Sequence, residues 1–343
     1  MKQPVVPYII VGIMCIYVYG LTYHAEHRIP PEPAYDFYDT TTVRVVISGT
    51  DIAPDIYGRF NNILEGERQL VKARDAGPDQ YKLTFQVNSP RPALLFIDDE
   101  DLEIFLVPGD TSLVVHATMD QGVYQIDSLE FEGTTAGICK YYKNKTNRFQ
   151  KVHLRATRNI VDSEDFLQFS LKLDSMAARE LSFLAEQEIY DSLPGWFVDF
   201  ERTEILYQKA YLKLSRAYNR DIPEKLLDRM SIDNEAAVFS YYYYLYLNSY
   251  FSSLEEGTLL AGNDNDSLAN MEEQITEARI RMADSLLTEG PHDVYITRSL
   301  FNHLKNNQVE FVERLFKKYG DRFFSKKYYR FIDWQLKERR KQA

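Results

Sequence analysis

Between residues 42 and 132 apolar and polar side chains alternate in short runs. In "TVRVVISG" Val43, Val45 and Ile47 share one face. "RQLVKARD" and "QYKLTFQV" alternate similarly. "PALLFID", "LEIFLVPGD", "TSLVVHAT" and "YQIDSLEFEG" follow at short spacing, with turn residues between them. Period-two runs at this spacing predict a β-sandwich or barrel. We place a β-sandwich domain at 42–134.

From about 135 the period becomes helical. "SEDFLQFSLKLDSMAARELSFLAEQ" sets Phe166, Phe169, Leu173, Ala177, Leu181 and Leu184 on one stripe, with Asp162 or Ser163 able to cap it. Pro194 suits the first turn of the next helix, "PGWFVDFERTEILYQKAYLKLSRAY". Further helices are expected over 234–252, 268–288, 292–304, 307–319 and 323–340. No strand pattern and no repeat of fixed period interrupts them. An α-helical domain is expected over 135–343.

Residues 4–23, "PVVPYIIVGIMCIYVYGLTY", are almost continuously apolar behind Lys2. About 20 such residues match the thickness of a bilayer. Residues 1–24 are therefore read as an uncleaved anchor. A cleaved signal is the alternative, but "VYG", Val18 to Gly20, is a poor cleavage site. Lys2 holds the N-terminus in the cytoplasm by the positive-inside bias, and the bulk of the chain then lies in the periplasm. Residues 25–41, with "HRIPPEPAYDFYD", read as a stiff Pro-rich spacer. The expected fold class is an N-terminal transmembrane helix, then an all-β sandwich, then an all-α helical bundle domain.

Composition narrows the function classes. The formal net charge is −11, without the basic footprint that displaces counterions, which argues against nucleic-acid binding. The basic tail "KERRKQA" sits at a helix end, where it complements the dipole. The two cysteines are Cys15, inside the apolar run, and Cys139. No Cys-x-x-Cys redox pair or cysteine-built zinc site is possible.

Each stretch that invites chemistry has a plainer reading beside it. "FLVPGDTSLVV", Phe105 to Val115, resembles a phosphate loop only superficially, because a strand follows it where a helix is required. Pro108, Gly109 and Asp110 satisfy the rules of a corner between strands. "VFSYYYYLYLNSYF", Val238 to Phe251, offers Tyr241, Tyr242, Tyr243, Tyr244 and Tyr246 as a partner or glycan surface. Four consecutive tyrosines on a helix point four ways, so packing between helices is the stronger expectation. "DDEDLE", Asp98 to Glu103, is oxygen-rich enough for calcium, but an acidic hairpin turn is commoner. "GNDNDS", Gly262 to Ser267, lacks the EF-hand glycine and terminal glutamate in register. His24, His27, His116, His153, His292 and His303 show no ligand spacing and no pairing with nearby carboxylates, so each is read as a surface or packed residue. Cys139 lies at a helix start that can lower a thiol pKa, against the simpler reading of a small buried side chain. No catalytic residue, cofactor site or metal site is assigned.

The β half resembles a known module. "VRVVISG", "YKLTFQVNSPRPALLFI", "LEIFLVPGDTSLVV" and "LEFEGTTAGICKYY" are similar to the N-terminal β-sandwich module of Bacteroidetes envelope thiol-disulfide oxidoreductases of the TlpA/ResA kind. The strand, Pro-Gly-Asp, strand corner and the Phe-x-Gly before the first helix (Phe131 and Gly133) carry the likeness, which extends loosely over 42–340. The thioredoxin domain with Trp-Cys-x-x-Cys that follows in that family is missing here, so no catalytic residue carries over. "DSL" at Asp127, Asp191, Asp266 and Asp284, and "DSM" at Asp174, resemble the O-glycosylation acceptor of envelope proteins in the same bacteria. Asp-Ser also starts helices.

The expected function is a non-enzymatic, membrane-tethered periplasmic protein that serves as a subunit or scaffold of an envelope assembly. Its partners would be an envelope protein and the inner membrane through residues 4–23. An accessory role in envelope thiol-disulfide chemistry and a ligand or glycan binder are the alternatives.

Overall fold

The computed structural model describes residues 39–342, apart from 51–52, 62–63, 65–67, 120–125, 151–153, 155–164, 218–226 and 260–267. The expected anchor, most of the spacer, His24, His27, His153, the Asp162/Ser163 cap and the 262–267 loop lie outside the described residues.

Nine strands lead the described chain: β1 (Asp39–Ser48), β2 (Ile56–Asn61), β3 (Arg68–Lys72), β4 (Arg74–Gly77), β5 (Gln80–Val87), β6 (Arg91–Ile97), β7 (Glu100–Leu106), β8 (Val114–Met119) and β9 (Ile126–Glu132). They form a five-stranded sheet in the order β4-β5-β1-β8-β9 and a four-stranded sheet in the order β3-β2-β6-β7. β1 pairs antiparallel with β5 and parallel with β8. The inward rows of the two sheets meet in one core, including Val43, Val45 and Ile47 from one and Phe60, Leu95 and Ile97 from the other. Alternation along strands such as β1, β5 and β6 produces this arrangement, since a period of two sends every second side chain to the same face.

Two departures from the sequence pattern have local causes. "IYGRFN" is a strand that the alternation does not announce, because Gly58 interrupts it. A Cβ at Gly58 would lie 2.4 Å from the Phe85 ring, so only glycine lets the facing sheet approach there. "RQLVKARD" is two strands rather than one. Ala73 breaks it by donating its N–H to Ile56 O, and β3 and β4 then join different sheets.

Helices follow: α1 (Ala136–Phe149), α2 (Phe166–Asp191), α3 (Gly195–Ala217), α4 (Tyr241–Leu259), α5 (Leu268–Leu286), α6 (Glu289–Lys305), α7 (Val309–Tyr319) and α8 (Lys326–Gln342). A short 3-10 turn, Glu235–Ala237, precedes α4. On α2 the predicted stripe is realised, with Phe166, Phe169, Leu173, Ala177 and Leu184 buried and Leu181 half-buried.

The three-part fold class is corrected. The described chain is mixed, with two sheets first and helices after, and no described helix is long and apolar enough to cross a membrane. The two kinds of structure also share a core. Ile138, Cys139, Tyr141 and Tyr142 of α1, Phe183 and Leu184 of α2, and Phe197 and Val198 of α3 belong to the same buried cluster as the strands. Phe105 is the hinge of this union. Its ring lies 5.4 Å from Phe197, 5.5 Å from Phe200 and 6.2 Å from Tyr142. Ile104, Phe105 and Leu106 are all buried, because the core covers one side of β7 and the helices cover the other. Each such side chain contributes about 2 kcal/mol through burial.

A second core lies among α4–α8, with Tyr207 and Ala210 of α3 joining it. A smaller cluster of Leu64, Val238, Val294 and Tyr328 touches the β2–β3 connection to this layer.

Candidate functional site

The Pro-Gly-Asp stretch is a corner, as its turn residues imply. Asp110 donates its N–H to Val107 O, and Gly109 has φ +79°, a left-handed conformation suited to glycine. The Asp110 side chain then ties the corner to the start of the helices. Its Oδ1 accepts from Ser112 N at 2.8 Å and Ser112 Oγ at 2.7 Å, and its Oδ2 accepts from Thr134 Oγ1 at 2.7 Å. Burial raises the carboxyl's pKa, but these bonds to the charged form outweigh it and hold the group below the usual range. Gly133, at φ +105°, completes the junction. A Cβ there would strike Ser112 O at 2.5 Å.

The densest set of ionisable groups is buried where α1, α2 and α3 meet. Lys145 Nζ lies 2.7 Å from Glu180 Oε2 and 2.6 Å from Glu201 Oε1. Tyr142 donates its hydroxyl to Glu201 Oε2 at 2.9 Å, and Tyr141 donates to Glu201 Oε1 at 3.2 Å. Glu180 Oε1 accepts from Leu154 N at 2.7 Å. Burial alone would lower the Lys145 pKa, but Glu201, with Tyr141 and Glu180 behind it, outweighs burial and raises it well above the ordinary value. Burial, followed by Glu201, raises both tyrosines well above theirs. Lys145, Glu180 and Glu201 are all under 8 % exposed, so their charges and proton donors face one another rather than solvent. The arrangement is a sealed ion-pair network that locks three helices together.

Cys139 is fully buried beside it, and burial pushes its thiol up to about 12. A group so shielded is neither thiolate nor accessible at neutral pH.

The tyrosine run divides. Tyr243, Tyr244 and Tyr246 are buried, while Tyr241 and Tyr242 are half-buried. Tyr243 donates to Ile232 O at 2.6 Å, and Tyr246 pairs with the Met230 backbone. Tyr207 of α3, which sequence reasoning passed over, donates to Ser231 O at 2.7 Å. These hydroxyls satisfy an irregular stretch of backbone, residues 230–232, that runs beside α3 and α4. A surface built from Tyr243, Tyr244 and Tyr246 is closed by this packing. Tyr244 instead stacks under the guanidinium of buried Arg298, whose Cζ is 3.6 Å from the ring centroid.

The histidines bring one correction. His292 is buried and does pair with carboxylates, its Nδ1 2.9 Å from Asp293 Oδ1 and its Nε2 3.5 Å from Asp284 Oδ1. Asp293 in turn accepts from Phe324 N and Ser325 N at 3.1 and 2.7 Å, holding the entry to α8. Asp284 also binds Arg322. Adjacent His-Asp in sequence was the available signal, but the second acid comes from another helix. His303 bridges Thr276 Oγ1 at 2.8 Å and Gln308. His116 lies 3.3 Å from Glu132 on the sheet surface.

The remaining motifs are absorbed structurally. Asp98 and Asp99 form the β6–β7 turn, and Asp98 Oδ1 accepts from Asp55 N at 2.8 Å. Of the Asp-Ser sites, Asp174 pairs with Lys209 and Lys213, Asp191 with Lys140 and Asp284 with His292, while Asp127 is the second residue of β9. Asp266 lies outside the described residues. Among the described residues no group of three His, Cys, Asp or Glu side chains is gathered for a metal. A cavity between Asn88–Ser89, Val294 and Tyr328 has about 20 Å³ of space, about the room of one water.

No protein-family model matches the chain, and no curated protein matches it.

Proposed function

We infer that the protein is a non-enzymatic binding subunit that docks an acidic partner protein, within an envelope assembly as the TlpA/ResA likeness implies. One observation carries the reading: the outer face of α8. Trp334 is 49 % exposed there. Lys326, Arg330, Lys337 and Lys341, all exposed, lie within one turn of the same face or repeat along it. Lys337 and Lys341 each also reach an acid of the same helix, Asp333 and Glu338. Phe324 and Tyr329, 59 % and 38 % exposed, border its start.

Tryptophan and arginine dominate the energetics of protein interfaces, and a large exposed aromatic set in cations favours an acidic counterpart. This basic face is an exception on a chain of net charge −11. The burial of Cys139 counts against a direct thiol role, and the burial of Tyr243, Tyr244 and Tyr246 counts against a glycan platform on α4.

The test is affinity purification of the tagged full chain from gently solubilised cells, beside a Trp334→Ala/Arg330→Glu variant of equal thermal stability. A stoichiometric protein recovered with the wild type and lost with the variant supports the reading. Recovery of the wild type alone refutes a stable subunit. A partner retained by the variant places the contact elsewhere.

A further inference from the structure

The outer face of α2 has the pattern of a helix seam and is left exposed among the described residues. Leu171, Ser175, Ala178, Ser182, Ala185 and Ile189 are all exposed. They follow one another at spacings of four, three, four, three and four, the seam spacing of a two-helix coiled coil. No charged residue interrupts the set. Leu167 extends it by one turn. Leu171 and Ile189 are 60 % and 80 % exposed, among the most exposed large apolar side chains described. A seam-spaced row along a helix of 26 residues normally meets another helix.

We propose that this face pairs with the same face of a second copy, antiparallel, to form a two-fold symmetric dimer that is independent of the α8 surface. The order of side chains selects the occupant. In an antiparallel pair centred near Glu180, Leu171 of each copy meets Ile189 of the other. Ser175 then meets Ala185, and Ala178 meets Ser182. Large residues oppose large ones at both ends, and small residues oppose small ones across the middle, where the backbones approach closely. This self-complementarity is what an isologous interface requires.

The flanks agree. Lys172 comes opposite Glu186 of the other copy, twice by symmetry. Leu181 meets its own counterpart. Asp174, which would approach Glu188, is already bound by Lys209 and Lys213 of its own chain at 3.1 and 2.8 Å. Arg179, near the two-fold axis, is drawn over Phe149 of its own chain, 5.5 Å from the ring centroid. From Leu171 to Ile189 the seam runs about 27 Å at 1.5 Å per residue. With its flanks it buries on the order of 1,000 Å² in total, the lower end for a specific interface, so the dimer is reversible.

The test is sedimentation of the full chain in mild detergent across low to high micromolar concentration. The wild type is expected to pass from monomer to dimer. Ala178→Arg, on an exposed position in the middle of the seam, is expected to weaken the dimer about 100-fold by setting like charges together, with unchanged thermal stability. Gln86→Arg, exposed on β5 and away from α2, is expected to leave it intact. In a Cys15→Ser background, Ala178→Cys/Ser182→Cys is expected to form an intermolecular disulfide on mild oxidation. A wild type that stays monomeric throughout overturns the proposal. So does a dimer that Ala178→Arg leaves untouched, which would place the contact on another surface.

Discussion

Two tyrosine-rich cores of this protein use the same side chain for different ends. At the α1–α3 junction Tyr141 and Tyr142 donate to a buried carboxylate, Glu201, which also holds Lys145. In the layer led by α4, Tyr207, Tyr243 and Tyr246 bind backbone groups of residues 230–232. The first core stabilises charge in a place water does not reach. The second satisfies polar backbone that no regular element pairs. A tyrosine hydroxyl serves both, but the cost of losing it differs, because a buried charge left short of donors is harder to tolerate than a carbonyl that water can reach.

The largest expected effect breaks the first core. Lys145→Met leaves Glu180 and Glu201 buried without their cation and should cost about 3–5 kcal/mol in denaturant unfolding. Adding Glu180→Gln and Glu201→Gln should recover most of it. A loss under about 1 kcal/mol for the single variant would show that the network is not holding the junction.

Alkaline pH probes the same core next. The Cys139 pKa is raised in the folded state to about 12, from about 8.5 when unfolded. Its contribution is therefore fully present below about 8.5 and is lost as pH rises toward 12, at about 1.4 kcal/mol per pH unit. The raised Lys145 and Tyr142 act in the same direction. Cys139→Ala should lower stability at pH 7 yet flatten its fall with pH. An unchanged slope would remove the thiol as its source.

The hydroxyls themselves give the direct comparison. Tyr142→Phe should cost about 2 kcal/mol, since its bond reaches a charged group, and Tyr243→Phe about 1 kcal/mol. Equal losses, read from the same urea titrations, would erase the distinction between the cores.

The smallest effect lies at the corner. Asp110→Asn weakens bonds to Ser112 and Thr134 and should cost about 1 kcal/mol at neutral pH. The Asp110 pKa is lowered on folding, so its contribution is present above about 3.9 and is lost as pH falls below that. The difference between wild type and variant should therefore shrink in acid.

Much of the fold was legible, and the exceptions are instructive. The alternation of Val43, Val45 and Ile47 and the stripe from Phe166 to Leu184 read correctly, because both follow from the period of a single element. Strand β2 did not read, since Gly58 answers to Phe85 on the facing sheet. The shared core did not read either, although the unbroken "IFL" of β7 is the mark of a strand covered on both sides. At the sites, the Pro-Gly-Asp corner was legible from turn chemistry. The pairing of His292 with Asp284 was not, because the two residues meet only when α5 and α6 pack. Packing between helices was the stronger expectation for Tyr241 to Tyr246, but which of them are buried, Tyr243, Tyr244 and Tyr246, was decided by contacts with α3, the 230–232 backbone and α6.

By itself the sequence determined the order of elements, strands first and helices after, and the turn at Pro108–Asp110. These depend on spacing and residue type along the chain. Only the tertiary structure decided that the sandwich and the first helices form one core, that Lys145, Glu180 and Glu201 meet, and that Cys139 is closed to solvent. Those outcomes depend on which distant surfaces come together, and burial changes the energy of a charge or a thiol far more than any neighbour in sequence does.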